Sequence, residues 1–257
     1  MSVGRSNQRW RLFTYLPLFL LLVSALLLNT GCASRKASKA EPNADPLEVI
    51  NRPIYKFNDV TDRYILRPVA KGYQFITPNF VETGISNFFD NITYTVTIVN
   101  DFLQGKFKQG FADTGRFALN TTLGLLGLFD VATPMGLEYH DEDFGQTFAK
   151  WGIPAGPYIV VPLFGPRTVR SGIGTLADWR VNLLNYYSNT SVRDKLLILW
   201  AIESRAALVG PDELIFDAFD PYLFVRDAYL QNRAFLINDG IIGETDEGFD
   251  DSFDDDF

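Results

Sequence analysis

Apolar residues recur every three or four positions from residue 47 onward, the period of a helix with one apolar face. Leu47, Ile50, Ile54, Phe57, Val60 and Tyr64 set the pattern. Asp45 reads as the N-cap of this helix, Pro46 as its first residue and Glu48 as the return arm of a capping box. Pro68 should end or redirect it. Further helices are predicted at about 79–90, 93–103, 106–121, 168–186, 190–209 and 212–237, the last broken near Asp220-Pro221. Ile159-Val160-Val161, between Pro154 and Pro166, predicts an extended stretch or a short edge strand. There is no repeat at a fixed period. The pattern describes one all-α domain over residues 46–238 with long irregular loops.

The first 32 residues follow another rule. Arg5, Arg9 and Arg11 precede an uncharged apolar stretch from Leu12 to Leu28, and Asn29-Thr30-Gly31 leads into Cys32. This is the layout of an export signal over residues 1–31. The 17-residue stretch sits at the lower limit for crossing a ~30 Å hydrocarbon core, and Pro17 interrupts it; an uncleaved anchor is the alternative. The segment resembles a bacterial lipoprotein signal, although Asn29 stands where that signal usually has Leu. The resemblance implies diacylglycerol on the Cys32 thiol and an acyl chain on the new amine, and two lipid signals already hold a protein on a membrane. Ala33 in place of Asp resembles the proteobacterial sorting pattern for the outer membrane. Residues 33–45 read as a flexible tether.

Composition removes several kinds of function. With 31 acidic residues against 23 basic ones the net charge is −8, a poor match for nucleic acid. Nine of the acids lie in residues 239–257, which read as an acidic, disordered tail. One Cys and one His exclude a disulfide framework, a Cys/His zinc cluster and, with the cysteine acylated, a Cys-His pair. No cofactor is expected. Gly172-Ile173-Gly174-Thr175-Leu176-Ala177 fits a dinucleotide fingerprint by letter, but no buried strand precedes it. Asp141-Glu142-Asp143 beside His140 reads first as a solvated acidic loop, with a divalent cation as the alternative. Beyond residue 32 no segment reaches 18 consecutive apolar residues, and no series of alternating segments suggests a barrel.

The body is nevertheless rich in Phe, Leu, Tyr and Trp, which leaves two readings. Either a water-soluble helical domain buries them, or short amphipathic helices lie within one membrane leaflet with apolar faces toward lipid. Thr121 to Gly136, punctuated by Gly124, Gly127, Pro134 and Gly136, is the candidate lipid-embedded loop or helix pair; core packing around a tight turn accounts for the same residues.

An ordered set of motifs spans residues 45 to about 235. It includes Asp45-Pro46-Leu47-Glu48, Asn51-Arg52, Phe57-Asn58, Arg67-Pro68-Val69-Ala70, Ser86-Asn87-Phe88, Leu103-Gln104-Gly105, Arg116-Phe117 and Asn120-Thr121. Asp130-Val131-Ala132, Phe144-Gly145-Gln146-Thr147, Gly156-Pro157-Tyr158, Glu203-Ser204-Arg205-Ala206 and Asp220-Pro221-Tyr222 continue it. The set resembles the MlaA (VacJ) family of outer-membrane phospholipid-transport lipoproteins. The resemblance implies a ring-like helical domain embedded in the inner leaflet of the outer membrane, with an amphipathic channel through it. It also implies that phospholipids misplaced in the outer leaflet pass through the channel to a soluble periplasmic carrier, and that a trimeric porin is a partner. No covalent chemistry is required.

Within that reading Arg170, Arg193, Lys195 and Arg205 are channel candidates as cations able to meet lipid phosphate, the alternative being pairing with Asp178, Asp194 and Glu203. Asn58 and Asp59 either shape the rim of the channel or cap a helix at a bend. Phe249, Phe253 and Phe257 stand four apart in the acidic tail, either solvated or docked on a basic groove of the carrier. A lipid hydrolase would have to rely on His140, and a porin-associated structural lipoprotein without transport is the remaining rival.

Overall fold

The computed structural model describes residues 45–241. The signal over 1–31, Cys32, the tether up to Ala44 and the tail from residue 242, with its three phenylalanines, lie outside the described residues.

Helix α1, Glu48–Thr61, runs through a widened turn at Asp62–Leu66 into α2, Arg67–Ile76. Pro68 therefore neither ends nor redirects the helix. Proline lacks an N–H and its ring strikes the carbonyl four residues back, here Tyr64. Tyr64 lies in the widened turn, where Arg67 N–H bonds to the Asp62 carbonyl five residues back and the ladder opens. The helix stops at Thr77, which is extended ahead of Pro78. The predicted start is also corrected. Leu47 is the residue before the helix and Pro46 lies outside it. Asp45 accepts from Leu47 N–H at 3.0 Å but is drawn away toward the Asn51 amide, 3.2 Å, and the Tyr222 hydroxyl.

Helices α3, Asn79–Thr93, and α4, Thr95–Gln104, meet at Tyr94, and α4 ends on left-handed Gly105. Helix α5 is Phe107–Thr122. A short α6, Phe144–Lys150, is not predicted by the periodicity; Asp143 caps it by accepting from Gln146 N–H at 2.8 Å.

The proline-bracketed stretch is a hairpin: β1, Tyr158–Val161, pairs antiparallel with β2, Gly165–Thr168, with Tyr158 opposite Thr168. The outer edge of β1 is covered by amides from α1. Asn51 donates to the Tyr158 carbonyl at 3.0 Å and accepts from Val160 N–H at 2.9 Å. Two turns on, Asn58 donates to the Val161 carbonyl at 2.9 Å and accepts from Leu163 N–H at 2.8 Å.

Helix α7, Val169–Val181, opens on a Thr168/Ser171 capping box. Its Gly174 lies against α6, where a Cβ would stand 2.4 Å from the Gly145 nitrogen. The fingerprint-like glycine thus permits helix contact. The predicted 168–186 helix breaks at Asn182, and Leu183–Tyr186 forms a short tight turn. Helices α8, Thr190–Ala206, α9, Asp212–Phe216, and α10, Pro221–Ile237, complete the described residues, with the break at Asp220-Pro221 as predicted. An apolar cluster of Tyr158, Val160 and Tyr222, with Ile54 and Leu223 against it, joins α1, the hairpin and α10.

Candidate functional site

The described residues bury polar groups and expose apolar ones. Nine hydrophobic side chains are buried against seventeen polar or charged ones, and Asn100, Asp101, Asp113 and Thr147 have no exposure at all. Phe75 is 90% exposed, Phe80 79% and Phe111 71%. A water-soluble domain distributes these classes the other way round, and extended apolar patches mark protein or membrane contacts. The reading in which the helices bury their Phe and Leu in a water-soluble core is therefore corrected. No helix among the described residues is long and apolar enough to cross a membrane.

Several of the buried polar groups gather where α3, α4, α5 and α6 meet. Tyr94 donates its hydroxyl to Asp113 at 2.9 Å, and His140 Nδ1 lies 3.0 Å from the same carboxylate. Asp101, also fully buried, accepts from Gln109 at 2.7 Å. Burial, then the neighbouring Asp113, raises the Asp101 pKa. Asp141 is exposed, but Glu142 and Asp143 are not solvated as the charges of the 140–143 segment suggest. Glu142 is buried and accepts from Lys106 at 2.5 Å and Gln104 at 2.8 Å, while Asp143 caps α6 and pairs with Arg233 at 2.5 Å. His140 is occupied in holding the loop.

Next to this network lies a small polar cleft of about 30 Å³, with Asp90, Asn91, Tyr94, Arg116, Asp130 and Tyr139 in its walls. That is room for a water molecule. Asp90 is in the wall of the cleft and open to solvent. Burial, followed by repulsion from Glu203 and Asp141, pushes Asp90 up to about 6. Arg116 is fixed by Asp130 at 2.6 Å, Thr133 at 2.8 Å and the Leu137 carbonyl at 2.6 Å. Burial works against the Asp130 charge, but hydrogen bonds from Thr133, Arg116 and Asn120 outweigh it and hold Asp130 down at about 2. Sequence reasoning left out Asp90, Arg116 and Asp130 as site residues. All three lie in or beside quoted family motifs; charge alone drew the choice toward the late helices.

The glycine-rich segment closes this cleft with apolar residues outward. Leu123, Leu125, Leu126 and Phe129 are at least 60% exposed. Gly127, at φ +92°, permits the close approach: a Cβ there would stand 2.4 Å from the Asn91 Cβ. A Cβ on Gly124 would meet the Phe129 carbonyl at 2.2 Å. Pro134 is the second residue of a short tight turn, Thr133–Met135, that ends on left-handed Gly136, which faces open space. Two of the four residues therefore serve backbone approach and two shape a turn.

The six channel candidates are not brought together. Asn58 braces the hairpin. Asp59 pairs with Arg63 at 3.0 Å. Arg170 donates to the Ile153 carbonyl at 2.8 Å, and burial, then Arg233 nearby, lowers its pKa. Arg193 pairs with Asp194 at 3.0 Å, and Lys195 is exposed on α8. Arg205 binds Asp62 at 2.5 Å and Asp212 at 2.8 Å, and Arg67 also meets Asp212 at 3.0 Å, so this group braces the widened turn. A second cleft, about 270 Å³, lies between α1 and the start of α10, lined by Arg52, Lys56, Asp59, Arg63, Phe216 and Tyr222 among others.

The chain is similar to several known proteins. A lipoprotein of Escherichia coli K12 named for an intermembrane phospholipid transport system is 39% identical over 228 residues, 86% of this chain and 90% of its own length. The protein of the same name from Haemophilus influenzae is 35% identical, covering 90% of this chain and 94% of its own. A solved structure, described as the structural basis for maintenance of bacterial outer membrane lipid asymmetry, has a TM-score of 0.68 and 38% identity; the match covers 76% of this chain and all of that one. The family model for the MlaA lipoprotein matches residues 43–236, so the chain belongs to the MlaA lipoprotein family.

Proposed function

We propose that this protein is an outer-membrane lipoprotein of an intermembrane phospholipid transport system. It removes phospholipids mislocalised to the outer leaflet and passes them to a soluble periplasmic carrier, which maintains lipid asymmetry. The observation that carries this reading is the inverted burial: apolar side chains outside, charged and amide side chains inside. Moving a charged headgroup through hydrocarbon is costly, and a polar interior open to a leaflet lowers that barrier while the tails remain among apolar groups. Acyl chains on Cys32 hold the protein on the periplasmic side of the outer membrane. The short helices form a ring within one leaflet, and a trimeric porin is the partner that steadies it. The exposed Leu125 and Leu126 of the glycine-rich segment supply an apolar surface that reaches lipid.

The test is to delete the chain from its host, restore it on a plasmid, and label surface phosphatidylethanolamine with a membrane-impermeant amine reagent. Labelling should rise on deletion and return on restoration. Equal labelling in all three strains would sink the proposal. A purified porin complex with no extractable phospholipid would favour a purely structural linker.

A further inference from the structure

We infer that the cleft between α1 and the start of α10 is a binding site for the phosphate diester of a phospholipid headgroup. The inference deepens the proposed function and rests on it for the source of the ligand. Arg52, Lys56, Asp59 and Arg63 lie at intervals of four, three and four along α1 and its continuation, which places them in one row. Arg52 is held by Glu48 at 2.6 Å and Asp220 at 2.9 Å, and Arg63 by Asp59 at 3.0 Å. Lys56, exposed between them, has no ion-pair partner among the described residues. It is the uncompensated charge of the row, and a phosphate entering there meets an ammonium with its donors available.

The floor is aromatic. The Arg52 guanidinium stacks 4.5 Å from the Tyr222 ring centre, and that of Arg63 stands 5.2 Å from Phe216. These contacts fix the two arginines on either side of Lys56.

Size decides which part of a lipid enters. At about 270 Å³ the cleft falls below the ~300 Å³ at which pockets for small molecules begin, so it takes a headgroup and leaves two acyl chains outside. The surface outside suits them. Phe57, Val60 and Tyr64 are exposed on the same helix, about a quarter-turn to a third of a turn round from the charged row, and Phe219 is fully exposed beside the other wall. A charged row beside an apolar row is the arrangement that a phospholipid itself presents.

The full chain, purified in detergent, is titrated with 1-palmitoyl-2-oleoyl phosphatidylethanolamine and followed by native mass spectrometry. Lys56→Glu should weaken the first binding event by about tenfold or more, the scale of a lost charge-assisted hydrogen bond. Lys56→Arg should retain it, as should Lys108→Glu, which makes the same charge change on α5 away from the cleft. Inorganic phosphate at millimolar concentration should not displace the lipid. Unchanged binding in Lys56→Glu, equal loss in Lys108→Glu, or displacement by inorganic phosphate would each overturn the inference, the last by marking an anion site that does not read lipid. Absence of lipid binding in a chain that still clears surface phosphatidylethanolamine in cells would end the inference and leave the transport reading standing. Binding without clearance would do the reverse.

Discussion

Asp90 and Asp130 line the same cleft and carry opposite electrostatic debts. Asp90 is held up at about 6, so its charge opposes folding; that cost is absent below the ordinary carboxylate value near 4 and complete above pH 6. Asp90→Asn should raise the melting temperature in detergent at pH 7.5, with the gain vanishing as the pH falls toward 4. Asp130 is held down at about 2, so its charge contributes stability that is complete above pH 4 and lost as the pH falls through 2. Asp130→Asn should lower the melting temperature at pH 7.5 and approach the parent only below pH 2. Two shifts of the same sign would contradict this assignment. The sequence marks both residues as acidic; only the enclosing walls and the fixed Arg116 give them different roles.

At the scale of elements, glycines alike in sequence have different duties. Gly127→Ala forces a Cβ to within 2.4 Å of Asn91 and strains a positive φ, whereas Gly136→Ala strains φ alone in open space. The first should cost several kcal/mol or displace the loop, the second about 1 kcal/mol; equal melting temperatures would refute the packing account. The widened turn within the first long helix is held by Arg205 from α8. Arg205→Ala leaves Asp62 and the buried Asp212 short of a partner and should cost about 3 kcal/mol, seen as a lower thermal midpoint. The long helices and the Asp220-Pro221 break were legible because periodicity and capping residues are local signals. Helix α6 was not, since seven residues hold too few turns for a period to appear. Neither was the widened turn, whose bracing comes from residues far along the chain.

For the molecule as a whole, the apolar exterior predicts that the folded body holds to a membrane by itself. A chain beginning at Ala33, without the apolar signal and Cys32, should still sediment with phospholipid vesicles, and adding Leu125→Asp and Leu126→Asp should release a substantial fraction. If the chain beginning at Ala33 remains in the supernatant, membrane contact by the folded body is refuted.

The helical periods, the shortage of catalytic side chains and the ordered motifs of the family were legible in the sequence alone. Each of these is written in neighbouring residues or in counts. The tertiary structure alone decided that polar side chains face inward and that the late-helix cations are scattered, with Arg205 used as a brace. It also set Asp90, Arg116 and Asp130 around one cleft and left Lys56 beside aromatic rings. A period gives a helix its two faces. Which face meets lipid depends on what the other helices already cover, and that information exists only once they have packed.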